Sequence, residues 1–465
     1  MKIYIETLGC QMNRLDSELL VGLVTAAGHE IVSHRRGADA VLYNTCSVRR
    51  HAEDKVYSRL GVDAKRKAVR PLLVGVLGCM AQREGKDLAR RYPAVDLLCG
   101  PGQLHELPAL LEKARTGRRA VALDPDRKTP PDARDLEAME SLDLSRDPAR
   151  TPSRSGAFVR VMRGCDRFCT YCIVPFVRGP EHSRPPEHIE REVKKLLDAG
   201  RSEITLLGQT VNRYRHETGG KTTRFADLLA RLSLLPGLRR LRFVTSHPVD
   251  FGRDLLEAMR DLPNVCPYIH APAQSGSDAV LKRMNRGYTR GQYDDLLASA
   301  REIVPDATLV GDFITGFPGE TDADHAASVD LIGQAGYKNA FIFKYSPRPG
   351  TPAEKRFEDD VPEALKRRRN MELLAAQKTA GRAHHQQYVG RVLEVLITGK
   401  SAREQKKDRR KESPDPQTGL VQLQGRSRGD HIVLMEGPDS LIDTYAQARI
   451  TAASDLSLFG EIGRE

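Results

Sequence analysis

Short apolar runs alternate with amphipathic stretches along most of this chain, and this alternation restricts its fold more than any other feature. In residues 1–120 the runs KIYIET, AVLYNT, LLVGVLG and VDLL have the composition of strands, and each is followed by residues with helical spacing. Strands that are separated by helices pair in parallel within one sheet. The first 120 residues therefore predict an open parallel α/β sheet.

A second alternation of the same kind runs from residue 151 to residue 383. Strands are predicted near residues 157–162, 203–208, 240–245, 266–271, 308–314 and 339–345. Six βα units predict a partial (β/α)6 barrel, because the complete barrel of this class has eight. Residues 121–150, between the two alternations, are rich in Pro, Asp, Arg and Ser and are predicted to form a linker.

The C-terminal part of the chain has a different pattern. After a long basic helix that is predicted from residue 361, the runs RVLEVLIT, GLVQLQGR, HIVLME and TYAQARITAA are short, β-rich and separated by turn residues. They predict a small all-β barrel over residues 384–452. Residues 400–419 are highly charged and poor in apolar side chains, which predicts a loop.

Composition narrows the classes of function. The chain has 465 residues, and no apolar run approaches the roughly 18 residues that a membrane-spanning helix requires. The N-terminal sequence MKIYIETLGCQMN lacks the apolar core of a signal peptide, so we expect a cytoplasmic protein with no membrane partner. The net charge of +11 and the basic runs at 366–369 and 406–411 favour nucleic acid as a partner, although solvated basic surfaces would look the same.

Three cysteines, Cys165, Cys169 and Cys172, lie in the run CDRFCTYC, directly after the first predicted barrel strand. Active sites of βα barrels are built at the carboxyl ends of the strands. Thiolates bind zinc or iron–sulfur clusters, but zinc is more often held by two C-x2-C pairs or by C-x2-C with paired histidines. The run therefore favours a [4Fe–4S] cluster with one open iron over a zinc site or three cysteines buried as small apolar residues.

A second set of cysteines follows the strands of the first sheet. Cys10, Cys46 and Cys79 each come just after a predicted strand. Because the carboxyl ends of parallel strands lie along one edge of a sheet, we expect these thiols to converge. The arrangement predicts a second cluster with three cysteine ligands, although cysteines on parallel strands are also common core residues. Cys99 and Cys266 are predicted to be core residues.

The run CDRFCTYC, with its aromatic Tyr171, resembles the C-x3-C-x2-C signature of the radical S-adenosylmethionine (SAM) enzymes. The resemblance implies a cluster whose fourth iron is chelated by SAM, and cleavage of SAM to methionine and a 5′-deoxyadenosyl radical. Glycine-containing segments at later strand ends, LLGQTVNRY, APAQSGSD and GDFITGFPGET, are candidates for binding SAM. The candidate SAM contacts are Gln209, Asn212, Gln274, Ser275 and Asp312.

From about residue 2 to residue 450 the chain resembles one branch of these enzymes, the methylthiotransferases, in stretches such as ETLGCQMNRLDSE, RGPEHSRP, TSHP and YSPRPGTPA. The resemblance implies two [4Fe–4S] clusters, the second of them an auxiliary cluster on Cys10, Cys46 and Cys79 that presents sulfur. A second SAM would methylate this sulfur before the methylthio group passes to the substrate. The C-terminal barrel would be a TRAM domain, an OB-like barrel that binds RNA.

Within that branch, NTCSVRRHAEDKV and GCMAQREG resemble the MiaB group, which converts N6-isopentenyladenosine at position 37 of tRNA to its 2-methylthio form. The resemblance implies binding of the tRNA anticodon stem-loop and electrons from a donor such as flavodoxin or ferredoxin. We expect a monomer, although the sequence leaves the oligomeric state open. Other groups act on threonylcarbamoyl-adenosine of tRNA or on an aspartate of a ribosomal protein. A metal-bearing RNA-binding protein without catalysis is the alternative of another class. The segments QTVN and HAPAQSGS differ slightly from the family's usual QNVN and HLPVQSGS.

Overall fold

The computed structural model of the chain describes residues 1–47, 50–124, 132–150, 154–410 and 419–463. Residues 125–131 of the predicted linker lie outside the described residues. So do residues 411–418, which include the end of the basic run at 406–411. No helix in the described ranges is long and apolar enough to cross a membrane.

The N-terminal domain is a parallel sheet whose described strands have the order β2-β1-β3-β4-β5-β6. The strands are β1 (Lys2–Leu8), β2 (Glu30–Ile31), β3 (Ala40–Thr45), β4 (Leu73–Gly78), β5 (Leu97–Cys99) and β6 (Ala120–Ala122). The helices are α1 (Gln11–Ala26), α2 (Arg50–Lys67), α3 (Cys79–Glu84), α4 (Lys86–Arg91) and α5 (Leu107–Arg115). The predicted parallel α/β sheet is confirmed, but the sequence pattern does not predict the short strands β2 and β6.

Alternating side chains of this sheet fill two cores. On β3, Val41 and Tyr43 pack with Val56 of α2 on one face. Leu42 packs with Leu19 of α1 on the other face. All six residues of β3 are buried, as is expected for a parallel strand that is covered by helices on both sides. The strand ends are thereby fixed, and the cysteines follow directly after them.

The central domain is a curved parallel sheet in the order β7-β10-β13-β14-β15-β16. The two three-stranded halves meet where the Cys266 N–H donates to the Leu241 carbonyl at 2.8 Å. Its barrel strands are β7 (Gly156–Arg160), β10 (Glu203–Leu207), β13 (Arg240–Val244), β14 (Tyr268–His270), β15 (Thr308–Thr315) and β16 (Asn339–Lys344). All six lie within two residues of their predicted positions. The described strands β7 and β16 do not pair with each other, so the barrel has an open side.

The remaining elements of this domain cover the barrel or extend from its ends. The short strands are β8 (Met162–Arg163), β9 (His182–Ser183), β11 (Arg215–Thr218) and β12 (Lys221–Arg224). The helices are α7 (Val174–Arg178), α8 (Pro186–Asp198), α9 (Phe225–Ser233), α10 (Arg253–Asp261), α11 (Asp278–Arg283), α12 (Arg290–Ile303), α13 (Asp322–Ala335), α14 (Pro352–Arg356) and α15 (Glu363–Gln386). The last of these, α15, is the predicted long basic helix.

A helix, α6 (Ala133–Leu144), occupies the middle of the predicted linker. It begins at Asp132, whose carboxylate accepts a hydrogen bond from the Asp135 N–H at 2.8 Å. Its Asp143 carboxylate is buried and accepts a hydrogen bond from Arg160 of β7 at 2.8 Å. The sequence pattern does not predict this helix, because ion pairs with the barrel, rather than an apolar face, hold much of it in place.

The C-terminal domain is a closed barrel in the order β17-β18-β19-β21-β20. Its elements are β17 (Val392–Lys400), α16 (Ala402–Arg410), β18 (Val421–Ser427), β19 (Ile432–Gly437), β20 (Tyr445–Ala453) and β21 (Ser457–Ile462). Two predictions are corrected here. Residues 402–410 form a helix where a loop is predicted, and the fifth strand extends the barrel beyond the predicted end at residue 452.

The C-terminal barrel contacts the amino ends of the central strands. Arg240, at the start of β13, is buried and donates to the backbone carbonyls of Glu394 and Arg426 at 2.8 and 2.9 Å. Arg242 donates to the carbonyl of Arg428 at 2.9 Å. Backbone carbonyls of the small barrel are thus satisfied by side chains of the large one, which fixes the position of one against the other.

Candidate active site

One cavity of about 1410 Å³ brings all six predicted ligand cysteines together. They are Cys10, Cys46 and Cys79 from the N-terminal sheet and Cys165, Cys169 and Cys172 from the central barrel. Cys99 and Cys266 are buried, and among the described residues they are not part of its wall. The cavity is larger than the 300–1,000 Å³ of an ordinary small-molecule site, so it can hold more than one ligand.

The loop that carries Cys165, Cys169 and Cys172 is held by backbone contacts with its surroundings. Gly164 has φ +67°, and a Cβ there would lie 1.8 Å from the Pro180 carbonyl oxygen, so a side chain does not fit. Thr170 donates from its backbone N–H to the Met284 carbonyl at 2.9 Å and from its hydroxyl to the Arg283 carbonyl at 3.0 Å. The three thiols are therefore presented on a fixed loop.

Burial disfavours the charged form of two of these thiols, Cys165 and Cys172. Burial raises the pKa of Cys165, and a hydrogen bond between its Sγ and the Thr210 hydroxyl, 3.5 Å apart, opposes this rise. It also raises the pKa of Cys172, and the neighbouring Cys169 adds to the effect. A metal cluster overcomes this cost, since coordination to iron deprotonates a thiol.

The second set of thiols lies at the carboxyl edge of the N-terminal sheet, as expected. Cys10 is the N-cap residue of α1 and Cys79 is the first residue of α3. A hydrogen bond with Cys46 lowers the pKa of Cys10 to about 6, and the nearby Arg178 contributes in the same direction. Burial raises the pKa of Cys79, and Arg178 opposes this too.

These donor sets fit clusters better than single metal ions. Within the described residues, no three His, Cys, Asp or Glu side chains are close enough together to hold one ion. In a [4Fe–4S] cluster each cysteine binds a different iron, which keeps the sulfurs further apart than around one ion. Two sets of three cysteines on one cavity wall fit such groups, and the described residues offer no zinc site.

The five candidate SAM contacts fall into two groups. Gln209, Gln274 and Asp312 line the cavity. In the described part of the chain, the Gln209 Oε1 atom is buried without a hydrogen-bond partner, so it is available to a ligand.

The other two candidates hold the protein's own loops. The Asn212 amide donates to the His247 carbonyl and accepts from its N–H, each at 2.9 Å. The Ser275 hydroxyl lies 3.3 Å from that of Ser328. Neither is among the described residues of the cavity wall.

Three residues that the sequence analysis missed also line this cavity. Arg286 donates to the Cys169 Sγ at 3.3 Å. Arg178 donates to Asp16 at 3.1 Å and lies beside the second set of cysteines. His247 is buried, and neither of its ring nitrogens has a hydrogen-bond partner within the described residues. His247 and Arg178 have a sequence signal, since they lie in the family-like stretches TSHP and RGPEHSRP, whereas Arg286 has none.

Two family models match the chain. The family described as "Uncharacterized protein family UPF0004" matches residues 2–100, and the "Radical SAM superfamily" matches residues 159–332. The first covers the sheet that carries Cys10, Cys46 and Cys79, and the second covers the loop with Cys165. A radical SAM domain implies an enzyme with a [4Fe–4S] cluster and SAM.

A solved structure shares the fold. The radical SAM methyltransferase TsrM from Kitasatospora setae has a TM-score of 0.57 over 76% of this chain and 75% of its own. The sequence identity is 15%, so the similarity concerns the fold alone.

Curated relatives cover almost the whole chain. A protein of Rhodopirellula baltica named tRNA-2-methylthio-N(6)-dimethylallyladenosine synthase is 44% identical over 462 residues, which are 99% of this chain and 95% of the relative. Proteins of the same name from Bacteroides fragilis and Clostridium botulinum are 41% and 39% identical, over 99% of this chain and 95% and 96% of theirs. This chain therefore belongs to the family of the radical SAM tRNA-2-methylthio-N(6)-dimethylallyladenosine synthases.

Proposed function

We propose that this protein methylthiolates carbon 2 of N6-isopentenyladenosine at position 37 of tRNA, and that it uses SAM both as methyl donor and as radical source. The observation that carries the proposal is the single cavity on which both sets of three cysteines lie, in a chain that is 44% identical to a curated synthase over 99% of its length. One cavity allows a sulfur donor and a radical source to reach the same substrate atom.

Each set of three cysteines holds one [4Fe–4S] cluster in this proposal. Cys165, Cys169 and Cys172 hold the cluster that binds SAM, and Cys10, Cys46 and Cys79 hold the auxiliary cluster. When bound, these groups supply the electron, the radical and the sulfur that an unactivated aromatic C–H bond requires. Gln209, Gln274 and Asp312, which line the cavity, are the proposed SAM contacts.

The chain's own residues provide position and exclude water. Phe158 of β7 and Phe341 and Phe343 of β16 lie on the cavity wall, on the two strands that border the open side of the barrel. Their rings give an apolar surface that suits an adenine with an isopentenyl group. A base inside an anticodon loop must leave its stack to reach this wall, as base-modifying enzymes generally require.

The C-terminal barrel is proposed to act as a TRAM-like RNA-binding domain. Its residues Thr398, Gln424 and Arg426 line the same cavity as the six cysteines. The net charge of +11 supports binding of the anticodon stem-loop. We propose domains at residues 1–120, 151–383 and 384–462, acting as a monomer with a flavodoxin-type or ferredoxin-type electron donor.

The test uses the full chain, reconstituted anaerobically with iron and sulfide. It is mixed with SAM, dithionite and a synthetic anticodon stem-loop that carries N6-isopentenyladenosine. Mass spectrometry then measures 5′-deoxyadenosine, S-adenosylhomocysteine and the 2-methylthio nucleoside. Cys169→Ala should abolish SAM cleavage, whereas Cys46→Ala should retain cleavage and lose the methylthio product. Cys99→Ala is the matched control, since this buried cysteine lies away from the cavity and should retain both activities.

The outcomes separate the parts of the proposal. A methylthio product from the Cys46→Ala protein would contradict the auxiliary cluster. A stem-loop with threonylcarbamoyl-adenosine that reacts better than the prenylated one would contradict the substrate. Mass spectrometry of tRNA from a deletion strain should show the unmodified isopentenyl nucleoside in place of its 2-methylthio form.

A further inference from the structure

A buried arginine in the cavity wall lacks the carboxylate that such a cation normally has. Arg286 is 6% exposed, and none of the described Asp or Glu side chains forms an ion pair with it. By contrast Arg160, Arg184, Arg240 and Arg369 are more deeply buried, and each has a carboxylate oxygen at 2.7–2.9 Å. An unpaired buried charge is costly, so an anion is expected beside Arg286 in the working protein.

The contacts of Arg286 leave one candidate for that anion among its partners. Its Nη1 donates to the Cys169 Sγ at 3.3 Å and to the Tyr171 hydroxyl at 3.4 Å. Its Nη2 donates to the Pro272 carbonyl at 2.9 Å. All of these partners are neutral except Cys169, which becomes a thiolate when it binds iron.

The orientation of Arg286 is fixed by Tyr288. The guanidinium carbon lies 5.3 Å from the centre of the Tyr288 ring, and Nε donates to the Tyr288 hydroxyl at 3.3 Å. That hydroxyl donates in turn to the Ala273 carbonyl at 2.6 Å. The N–H that faces Cys169 is therefore held in place before any cluster is bound.

We propose that Arg286 is a positioning residue that raises the reduction potential of the cluster on Cys165, Cys169 and Cys172 through its hydrogen bond to the Cys169 sulfur. Reduction adds one electron, supplied by the external donor, to a group that is already negative. A cation that donates to a cluster sulfur stabilises the reduced form more than the oxidised form. The inference rests on the proposed function, because it requires a cluster on these cysteines.

The test is a redox titration of the full chain, followed by electron paramagnetic resonance. A Cys10/Cys46/Cys79→Ala background leaves one cluster to be observed. At a fixed potential we expect Arg286→Met to lower the ratio of reduced to oxidised cluster at least tenfold, a shift of about 59 mV for a one-electron couple. Arg286→Lys keeps the charge and should shift the midpoint less. Arg290→Met, which removes an arginine that bonds Asp294 on the outside of the barrel, should leave it unchanged.

The possible results are distinct. An intact cluster with an unchanged midpoint in Arg286→Met overturns the inference and leaves the proposed function standing. The same holds if SAM affinity falls tenfold without a change in midpoint, since Arg286 would then bind the SAM carboxylate instead. If Arg286→Met takes up no iron, the midpoint potentials of Arg286→Lys and Tyr288→Phe are measured instead. Midpoints equal to that of the parent protein overturn the inference. A parent protein that forms no cluster at all contradicts the proposed function itself.

Discussion

Three histidines, of which His385 and His431 are buried and His384 is partly buried, lie where helix α15 meets the C-terminal barrel. Acidification should weaken this contact. His384 lies stacked on His431, with their Nε2 atoms 3.0 Å apart. One of these nitrogens must donate and the other accept, so the accepting ring must be neutral. His385 is buried beside them and its Nδ1 lies 2.6 Å from the Gly381 carbonyl. The charged groups that face these three histidines are Lys338 and Arg242, and Asp455 lies near His385.

The expected loss follows from the pKa values. Burial lowers the pKa of His384 from its usual 6.5 to about 4, and burial lowers the pKa of His431 well below its usual value. When α15 and the C-terminal barrel separate, the exposed histidines bind protons between pH 4 and 6.5 that they do not bind while the two are in contact. The stability of the contact is therefore full above pH 6.5 and is lost as the pH falls. From pH 7 to pH 5 each of these two histidines removes about 2 kcal/mol.

The assay is native-state hydrogen exchange with mass spectrometry, corrected for the intrinsic pH dependence of exchange. Peptides that cover α15 and β19 report the free energy of opening. For the wild-type protein we expect a loss of about 4 kcal/mol between pH 7 and pH 5. His384→Gln is the matched variant, because an amide can still bond His431 but does not titrate, and it should lose only about half as much. Equal losses in the two proteins would refute the assignment to these rings.

Three further perturbations test the site and the interfaces. His247→Phe should weaken SAM binding roughly tenfold in calorimetric titration, a loss of about 1.4 kcal/mol in binding free energy. The reason is that it removes two buried nitrogens that are free for a ligand. An unchanged affinity would place the ligand elsewhere. Arg178→Met should leave Asp16 and the second set of cysteines without the cation that they share, and it should reduce the iron content per chain by roughly half. Full iron content would assign Arg178 a purely structural role. Arg240→Met should destabilise the docked C-terminal barrel by roughly 1–3 kcal/mol, because it leaves the backbone carbonyls of Glu394 and Arg426 without their donor. A proteolysis rate equal to that of wild type would contradict this.

The sequence predicts the strands and the positions of the cysteines after them because both depend on local pattern, whereas the cysteines' role as cluster ligands stays a prediction. Strands such as β3 and β10 are continuous apolar runs between helices, and the residues after them face one edge whatever the details of packing. The predicted convergence of Cys10, Cys46 and Cys79 needs only the parallel order of β1, β3 and β4. The short strands β2 and β6 carry no such pattern, since strands of two or three residues have no period to detect.

Other features depend on tertiary partners that the sequence does not show. Arg286 lies more than one hundred residues after Cys169, and nothing in the local pattern of RMNRGYT indicates that they touch. Asn212 and Ser275 have side chains suited to SAM, but neighbouring loops already use their hydrogen-bonding groups. The helix α6 is missed for a related reason, since its Asp143 and Glu140 are stabilised by buried arginines of the barrel rather than by an apolar face.

Buried ion pairs also join the N-terminal domain, which carries one set of cysteines, to the central domain, which carries the other. Asp16 lies on α1, whose N-cap is Cys10, and it accepts a hydrogen bond from Arg160 of β7 at 2.9 Å. It also accepts one from Arg178, which ends the helix that follows Cys172, at 3.1 Å. One buried carboxylate is therefore bound to both sides of the cavity. Since removing one partner of such a buried network leaves an uncompensated charge, these contacts hold α1, and with it the N-cap Cys10, against the central barrel, whatever the length of the chain between the domains.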